Sequence, residues 1–176
     1  LQHQGVDYLA VAFADEGVLL RERGITMPVV VLNADADSFD QMIANRLEPE
    51  IYSFRSLADF ADAVSHAGET RDTGMHRLGF MEGEIGRLCE VLPTLPAVKV
   101  ASVFSHLNCA DMPGEDAYTR EQIARYDRMS AAVAASLPYS VIRHTANSAA
   151  IERFPEARFD MCRLGLGLYG FGWEHN

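Results

Sequence analysis

Short apolar segments alternate with longer amphipathic segments along the chain. The apolar, β-branched segments predict strands at residues 8–13, 28–33, 50–53, 98–106, 141–146 and 161–169. The segments with helical periodicity predict helices at residues 15–23, 38–46, 56–67, 82–92, 120–136 and 148–153. This alternation is typical of repeated β/α units around a parallel sheet.

One predicted strand is apolar at consecutive positions, from Val29 to Leu32. A strand of this kind is buried on both faces, so it needs cover on both sides, as in a barrel or a doubly wound sheet. We predict an α/β fold, specifically a (β/α)₈ TIM-type barrel. Such barrels have about 250 residues, and this chain has 176. The barrel is therefore expected to be incomplete, with residues 1–176 as one partial barrel domain.

The alternation is interrupted before Asp72. Between the helix predicted to end at Ala67 and the loop that begins at Asp72, only residues 68–71 are available for a strand. A barrel without an interior strand would leave backbone groups unpaired. We therefore expect that residues have been omitted from the sequence at this point.

Composition excludes several classes of function. The net charge of −10 and the pI near 4.9 argue against a nucleic-acid-binding surface, which needs clustered cations. No apolar run approaches the ~20 residues of a membrane span. Cys89, Cys109 and Cys162 lack the spacing of metal ligands or of a disulfide framework, so we predict no metal site and a cytoplasmic location. The start at Leu1 without methionine and the end at Asn176 predict a piece of a longer protein.

The candidate chemistry lies where predicted strands end, because barrel active sites lie at the carboxyl ends of the strands. Five residues fall there: Arg77, His106, His144, Ser148 and Arg163. A lone histidine or arginine is commonly a packed or ion-paired residue, but several at matching strand ends favour a site.

A phosphate site is predicted near the end of the chain. Ser148 opens a predicted helix, where a hydroxyl and free backbone N–H groups bind anions, although serine there also serves as an ordinary N-cap. Gly165 and Gly167 follow Arg163 and can add further N–H donors. Together these residues favour a phosphorylated cofactor.

Five segments resemble the pyridoxal-phosphate-dependent alanine racemases in order and spacing: residues 72–80, 104–111, 144–150, 153–157 and 159–170, the last reading Phe-Asp-Met-Cys-Arg-Leu-Gly-Leu-Gly-Leu-Tyr-Gly. The resemblance implies an isomerase that interconverts L-alanine and D-alanine for peptidoglycan synthesis. It implies pyridoxal 5'-phosphate as cofactor and two-base proton transfer at Cα of an aldimine.

The resemblance also implies catalytic roles. Arg163 would contact the pyridine nitrogen, and His106 and His144 would orient Arg163. Arg77 would approach the phenolic oxygen of the cofactor and the substrate carboxylate. Arg77, His106 and Arg163 are thus the implied catalytic residues.

The same resemblance implies phosphate contacts. Ser148 and the backbone of Gly165 and Leu166 would bind the phosphate, and Asn147 would support the turn beside the cofactor.

The chain departs from the family pattern at several places. The Schiff-base lysine precedes the region where this chain starts, and the tyrosine that acts as second base belongs to a C-terminal β-domain of a partner subunit. The first strand and that β-domain are therefore expected to be absent, and the fragment to be inactive alone. The only lysine, Lys99, begins a predicted strand and is assigned no catalytic role. Thr70 stands where a carbamylated lysine is usual, and Leu164 where proline is frequent.

The implied partners are L- and D-alanine as substrates and a second copy in a homodimer, with a possible fusion to a ligase that adds D-alanyl-D-alanine. Three alternatives remain. One is a related barrel racemase or decarboxylase for another amino acid, and another is a non-catalytic pyridoxal-phosphate homeostasis protein. The third, a phosphosugar barrel enzyme, is disfavoured because it has no use for Arg163 facing a ring nitrogen.

Overall fold

The computed structural model describes residues 1–67, 71–75 and 79–172, with residues 71–75 as backbone only. The chain forms two compact units, a first unit at Leu1–Ala101 and a second at Ser102–Asn176. Each is a set of β/α elements. Among the described residues, no helix is long and apolar enough to cross a membrane.

The first unit contains a five-stranded parallel sheet with the strands in sequential order. Its strands are β1 (Leu9–Val11), β2 (Val29–Val31), β3 (Glu48–Ile51), β4 (Arg71–Met75) and β5 (Val98–Val100), and its helices are α1 (Ala14–Glu22), α2 (Phe39–Ala44), α3 (Phe54–Ala67) and α4 (Ile85–Val91). A doubly wound sheet reverses its strand order part-way across. The sequential order of this sheet is that of singly wound β/α units.

The core of the first unit lies between β2 and the helices. All three residues of β2 are buried, as the apolar run predicts. Phe39 of α2 and Phe60 of α3 meet edge to face, with ring centroids 5.1 Å apart. Gly24 ends α1 in a left-handed conformation with φ of 81°, which confirms the predicted stop.

The sequence pattern left no strand before Asp72, and this is wrong for the backbone that the structure describes, whereas the omission of residues at this point stays a prediction. Arg71–Met75 forms β4, which pairs in parallel with β3 on one side and β5 on the other. The strand uses the Asp-Thr-Gly residues that the sequence pattern assigned to a loop. Backbone pairing on both sides stabilises these polar residues as a strand, which side-chain periodicity alone does not reveal. Gly68, the predicted end of α3, lies outside the described residues.

The second unit contains β6 (Ser102–Phe104), α5 (Asp116–Ala135), β7 (Ile142–His144) and α6 (Ser148–Arg153). β6 and β7 form a two-stranded parallel sheet in which Phe104 is the partner of His144. The predicted strand 98–106 is therefore two strands, interrupted at Ala101. A core cluster of this unit is made of Leu107, Ala110, Ile123, Ala146, Ala150, Phe154 and Ala157.

The predicted strand 161–169 is wrong. Asp160 and Arg163 each donate one backbone hydrogen bond to the β7 region, to Arg143 O and Ala146 O, but Leu166–Tyr169 forms a 3₁₀ turn. The turn forms because the N–H groups of Gly165 and Gly167 both point at the Ser148 hydroxyl and so are not available for a strand ladder.

Candidate functional site

The site is built around the guanidinium of Arg163. The backbone N–H of this residue donates to Ala146 O, just after β7. Nη1 donates to His144 Nδ1 at 3.0 Å and to His144 O at 3.2 Å. Nη2 donates to Ser105 O at 2.6 Å and to Thr145 O at 3.2 Å. Because the acceptors come from the ends of both β6 and β7, the guanidinium is fixed at the carboxyl edge of the two-stranded sheet.

His144 is the side chain that shapes this arginine's environment. It is 4% exposed, and burial together with the positive charge of Arg163 lowers its pKa to about 3. The imidazole is therefore neutral near pH 7. Because Arg163 can only donate, Nδ1 accepts and the ring proton lies on Nε2. Within the described part of the chain, buried Nε2 has no hydrogen-bond partner.

Ser148 and two glycines form a second feature of the site. The Ser148 hydroxyl accepts from Gly165 N at 3.0 Å and from Gly167 N at 3.1 Å. A methyl group at Gly167 would lie 3.5 Å from Ser148 Oγ and 2.8 Å from a methyl carbon of Leu164. The backbone thus lies directly against the hydroxyl, and two N–H donors converge on one oxygen, which is the geometry of an anion-binding nest.

Asn147 has a supporting position. Its Oδ1 accepts from Ala150 N at 3.0 Å, and its Nδ2 donates to Leu107 O at 2.8 Å. Asn147 is therefore the N-cap of α6, and Ser148 is the first helical residue rather than the cap. The amide joins the start of α6 to the loop after β6. Direct contact between Asn147 and a cofactor stays a prediction.

The remaining predicted residues differ in where they lie relative to Arg163 and the nest. His106 is exposed in the loop that follows β6, and its role in orienting Arg163 stays a prediction. Leu166 begins the 3₁₀ turn beside the nest. Arg77 lies outside the described residues. Lys99 lies in β5 with its side chain exposed.

Sequence reasoning missed Phe104, Ser105 and Thr145. The two latter residues act through main-chain oxygens, which residue type does not reveal. Phe104 stacks on the His144 ring with centroids 5.0 Å apart and also lies 4.9 Å from Arg163 Cζ. In the strand predicted at residues 98–106, a period of two places Phe104 on the same face as His106, a signal that could have drawn attention to Phe104.

The comparisons with known proteins identify the family of the chain. Residues 1–172 match the family model described as the N-terminal domain of alanine racemase. The chain belongs to the alanine racemase family.

Similar relatives are alanine racemases from several bacteria. The enzyme of Symbiobacterium thermophilum is 36% identical over 94% of this chain, and that of Desulfovibrio desulfuricans is 37% identical over 94%. The chain spans 46% of the length of each of these two alanine racemases.

Solved alanine racemases have the same fold over nearly the whole chain. The protein of Clostridium difficile 630 in complex with cycloserine superposes with a TM-score of 0.87 at 32% identity, over 96% of this chain and 48% of its own. The Bacillus anthracis alanine racemase with bound L-Ala-P superposes with a TM-score of 0.79 at 26% identity, over 97% and 46%. The mixed α/β class predicted from the sequence is confirmed.

Proposed function

We propose that this chain is the cofactor-binding part of an alanine racemase that interconverts L-alanine and D-alanine. The observation that carries the proposal is the pairing of Arg163 with a neutral, buried histidine beside the Ser148 nest, in a chain of this family. The second unit thus contains a guanidinium that can donate to a ring nitrogen, Arg163, and a set of donors that can bind a phosphate, the Ser148 nest.

The fold is proposed in finer terms as well. We infer that both units belong to one incomplete (β/α)₈ barrel domain spanning residues 1–176. The sequential parallel order of the first unit supports it, as does the superposition on an alanine racemase over 96% of the chain.

The donor set suits pyridoxal phosphate. The Ser148 hydroxyl and the N–H groups of Gly165 and Leu166 would hold the phosphate, while Asn147 keeps the start of α6 in place. A phosphate oxygen can replace Ser148 Oγ as the acceptor of the glycine N–H groups, because both present lone pairs to the same donors. When bound, pyridoxal phosphate supplies an electron sink for the α-carbon of an amino acid.

Arg163 sets the strength of that sink. A guanidinium keeps its proton at all physiological pH values, so Arg163 would donate to the pyridine nitrogen and would leave that nitrogen unprotonated. Neutral His144 accepts from Arg163 and keeps the guanidinium in one orientation. In this proposal His106 gives the arginine further support, and Arg77 binds the substrate carboxylate. With the ring nitrogen unprotonated, the cofactor would be a weaker electron sink, which suits racemisation better than transamination.

The remaining parts of the proposal concern the whole protein. We propose that its two proton-transferring bases, a lysine and a partner's tyrosine, lie outside residues 1–176, that the enzyme is a cytoplasmic homodimer, and that its D-alanine enters peptidoglycan synthesis. The fusion with a ligase belongs to the same proposal. The 176-residue chain alone is expected to be inactive.

The cofactor proposal is tested on the 176-residue chain by titrating pyridoxal phosphate and following bound phosphate by ³¹P NMR. We expect reversible binding that inorganic phosphate displaces, and no borohydride-fixed adduct on Lys99. Arg163→Met should weaken binding, whereas Arg128→Met, a change at an exposed arginine on α5, should not. Equal binding by wild type and Arg163→Met would contradict the assigned role of Arg163.

The activity is tested on the full product of the encoding gene. Incubation with L-alanine in D₂O should produce D-alanine that carries deuterium at Cα. A full product without a lysine before the region of β1 and a tyrosine after residue 176, or without Cα exchange, would refute the racemase proposal even if pyridoxal phosphate binds.

A further inference from the structure

The ring of Phe104 lies against both functional side chains of the second unit. Phe104 ends β6 and is 6% exposed. Its ring stacks on the imidazole of His144 with an interplanar angle of 23°, and Arg163 Cζ lies 4.9 Å from its centroid. The parallel register makes Phe104 and His144 direct neighbours in the ladder, so the contact is set by strand pairing and not by a flexible loop.

We propose that Phe104 is a positioning residue whose single ring fixes both the plane of the His144 imidazole and the direction of the Arg163 guanidinium. The proposal rests on the proposed function for what the guanidinium then faces, the ring nitrogen of the cofactor. The contacts of Phe104 themselves are independent of any ligand.

Hydrogen bonding alone leaves the imidazole under-restrained. Arg163 engages His144 at Nδ1, and among the described residues nothing pairs with Nε2. One bond fixes one ring atom but not the tilt of the ring about its Cβ–Cγ bond. A stacked aromatic face supplies the missing restraint, because a tilted ring would lose the stack.

The same face acts on the guanidinium in a second way. A cation over an aromatic ring is attracted by the ring's negative face, and this attraction is stronger in a site from which water is partly removed. Arg163 is half-buried, and it donates to four acceptors on His144, Ser105 and Thr145. Phe104 adds a contact between the guanidinium and an aromatic ring face, which the hydrogen bonds do not supply.

Phe154 provides a matched control for ordinary core packing. It is 0% exposed in the same unit, and its ring also lies near arginine side chains, Arg120 at 5.0 Å and Arg153 at 5.1 Å. A merely structural phenylalanine of this kind should affect stability without affecting the state of His144.

The test compares Phe104→Met with Phe154→Met, both of which keep side-chain volume but remove the aromatic face. In the cofactor-free chain, ¹⁵N NMR reports the tautomer of His144, and solvent exchange reports the protection of the Arg163 side-chain N–H groups. We expect Phe104→Met to mix the tautomers and to speed Arg163 exchange about tenfold, which is a protection loss of about 1.4 kcal/mol. Phe154→Met should lower the melting temperature and leave both signals unchanged.

Conservative variants keep the test decisive. Phe104→Tyr retains the aromatic face and should restore the single Nε2–H tautomer. Phe104→Leu serves as a second non-aromatic variant if the methionine variant fails to fold. The proposal is overturned if a folded non-aromatic variant keeps one tautomer and slow Arg163 exchange.

Cofactor affinity is measured separately, by the pyridoxal phosphate titration. We expect it to be weakened several-fold in Phe104→Met and unchanged in Phe154→Met. If wild type fails to bind pyridoxal phosphate, the cofactor proposal fails, while the tautomer and exchange measurements still decide the role of Phe104.

Discussion

Two arginines of this protein use their guanidinium groups in different ways. Arg21 of the first unit donates to four main-chain oxygens: Asn45 O at 2.9 Å, Ile25 O at 3.0 Å, Met27 O at 2.8 Å and Arg46 O at 2.8 Å. Burial lowers the pKa of Arg21, an effect that Glu48 opposes and Arg46 reinforces. Its partners lie in the segments that lead into β2 and β3, so Arg21 acts as a structural clamp that holds these two segments together.

Arg163 of the second unit also donates to four acceptors among the described residues, but one of them is a titratable ring. One acceptor of Arg163 is His144 Nδ1, whereas all four acceptors of Arg21 are carbonyl oxygens. The glycines of the Ser148 nest, Gly165 and Gly167, follow Arg163 closely in the sequence. The comparison indicates that carbonyl acceptors alone make an arginine a structural clamp. A neutral imidazole and an adjacent anion nest make it a candidate ligand contact.

The largest expected difference between the surroundings of Arg21 and Arg163 is in the stability at acidic pH. The folded-state pKa of His144 is lowered from the ordinary 6.5 to about 3, so the unfolded chain binds the proton more tightly. The stability contributed by neutral His144 is present above pH 6.5 and is lost as pH falls toward 3. We expect about 4 kcal/mol over this window.

Urea unfolding at several pH values measures this effect. His144→Gln should remove the part of the pH dependence of the unfolding free energy that comes from His144, because glutamine does not titrate. The part that comes from carboxylates should remain. The hydrogen bond is kept in this variant, because an amide oxygen can still accept from Arg163. Parallel pH curves for wild type and His144→Gln would show that the histidine is not held neutral.

The second expected effect concerns the structural clamp. Arg21→Met leaves four main-chain oxygens without their donor, and we expect the free energy of unfolding to fall by about 3 kcal/mol. The neighbouring exposed Arg23 is the control, and Arg23→Met should cost less than about 0.5 kcal/mol. Pyridoxal phosphate affinity should not change in either variant. A loss of affinity in folded Arg21→Met would mean that the two clamps do not have separate roles.

A smaller effect is expected at the nest. Ser148→Ala removes the hydroxyl that would donate to phosphate, and we expect inorganic phosphate to bind about tenfold more weakly, or about 1.4 kcal/mol. Ser136→Ala, at the end of α5, is the matched control. Isothermal titration measures both. Tighter binding by Ser148→Ala would show instead that the hydroxyl competes with phosphate for the Gly165 and Gly167 donors.

The smallest effect is expected at Asp160, which aligns the segment that leads to Arg163. Its carboxylate accepts from Arg143 N at 2.8 Å, and its own N–H donates to Arg143 O at 2.9 Å. Asp160→Ala should cost about 1 kcal/mol and Asp160→Asn less, because the amide keeps an acceptor oxygen. Thermal unfolding measures this order, and equal values for both variants would exclude a role for the hydrogen bond.

The sequence predicted the elements with strong periodicity better than the polar ones. The apolar run of β2 and the amphipathic α3 were found because burial imposes a pattern on their side chains. β4 was missed because Asp72, Thr73 and Gly74 carry no such pattern and are stabilised by pairing on both sides. The strand predicted at 161–169 was wrong because Gly165 and Gly167 bond to a hydroxyl far away in sequence.

Within the candidate site, the sequence indicated the residue types and the tertiary structure decided their states. Arg163, His144 and Ser148 could be named from order and spacing, since an arginine, a histidine and a serine at strand ends carry recognisable chemistry. That His144 is neutral, that its proton lies on Nε2 and that Phe104 covers two functional groups depended on burial and strand register. Both arise only when residues distant in sequence come together, because desolvation and ring stacking are properties of neighbours and not of residue types.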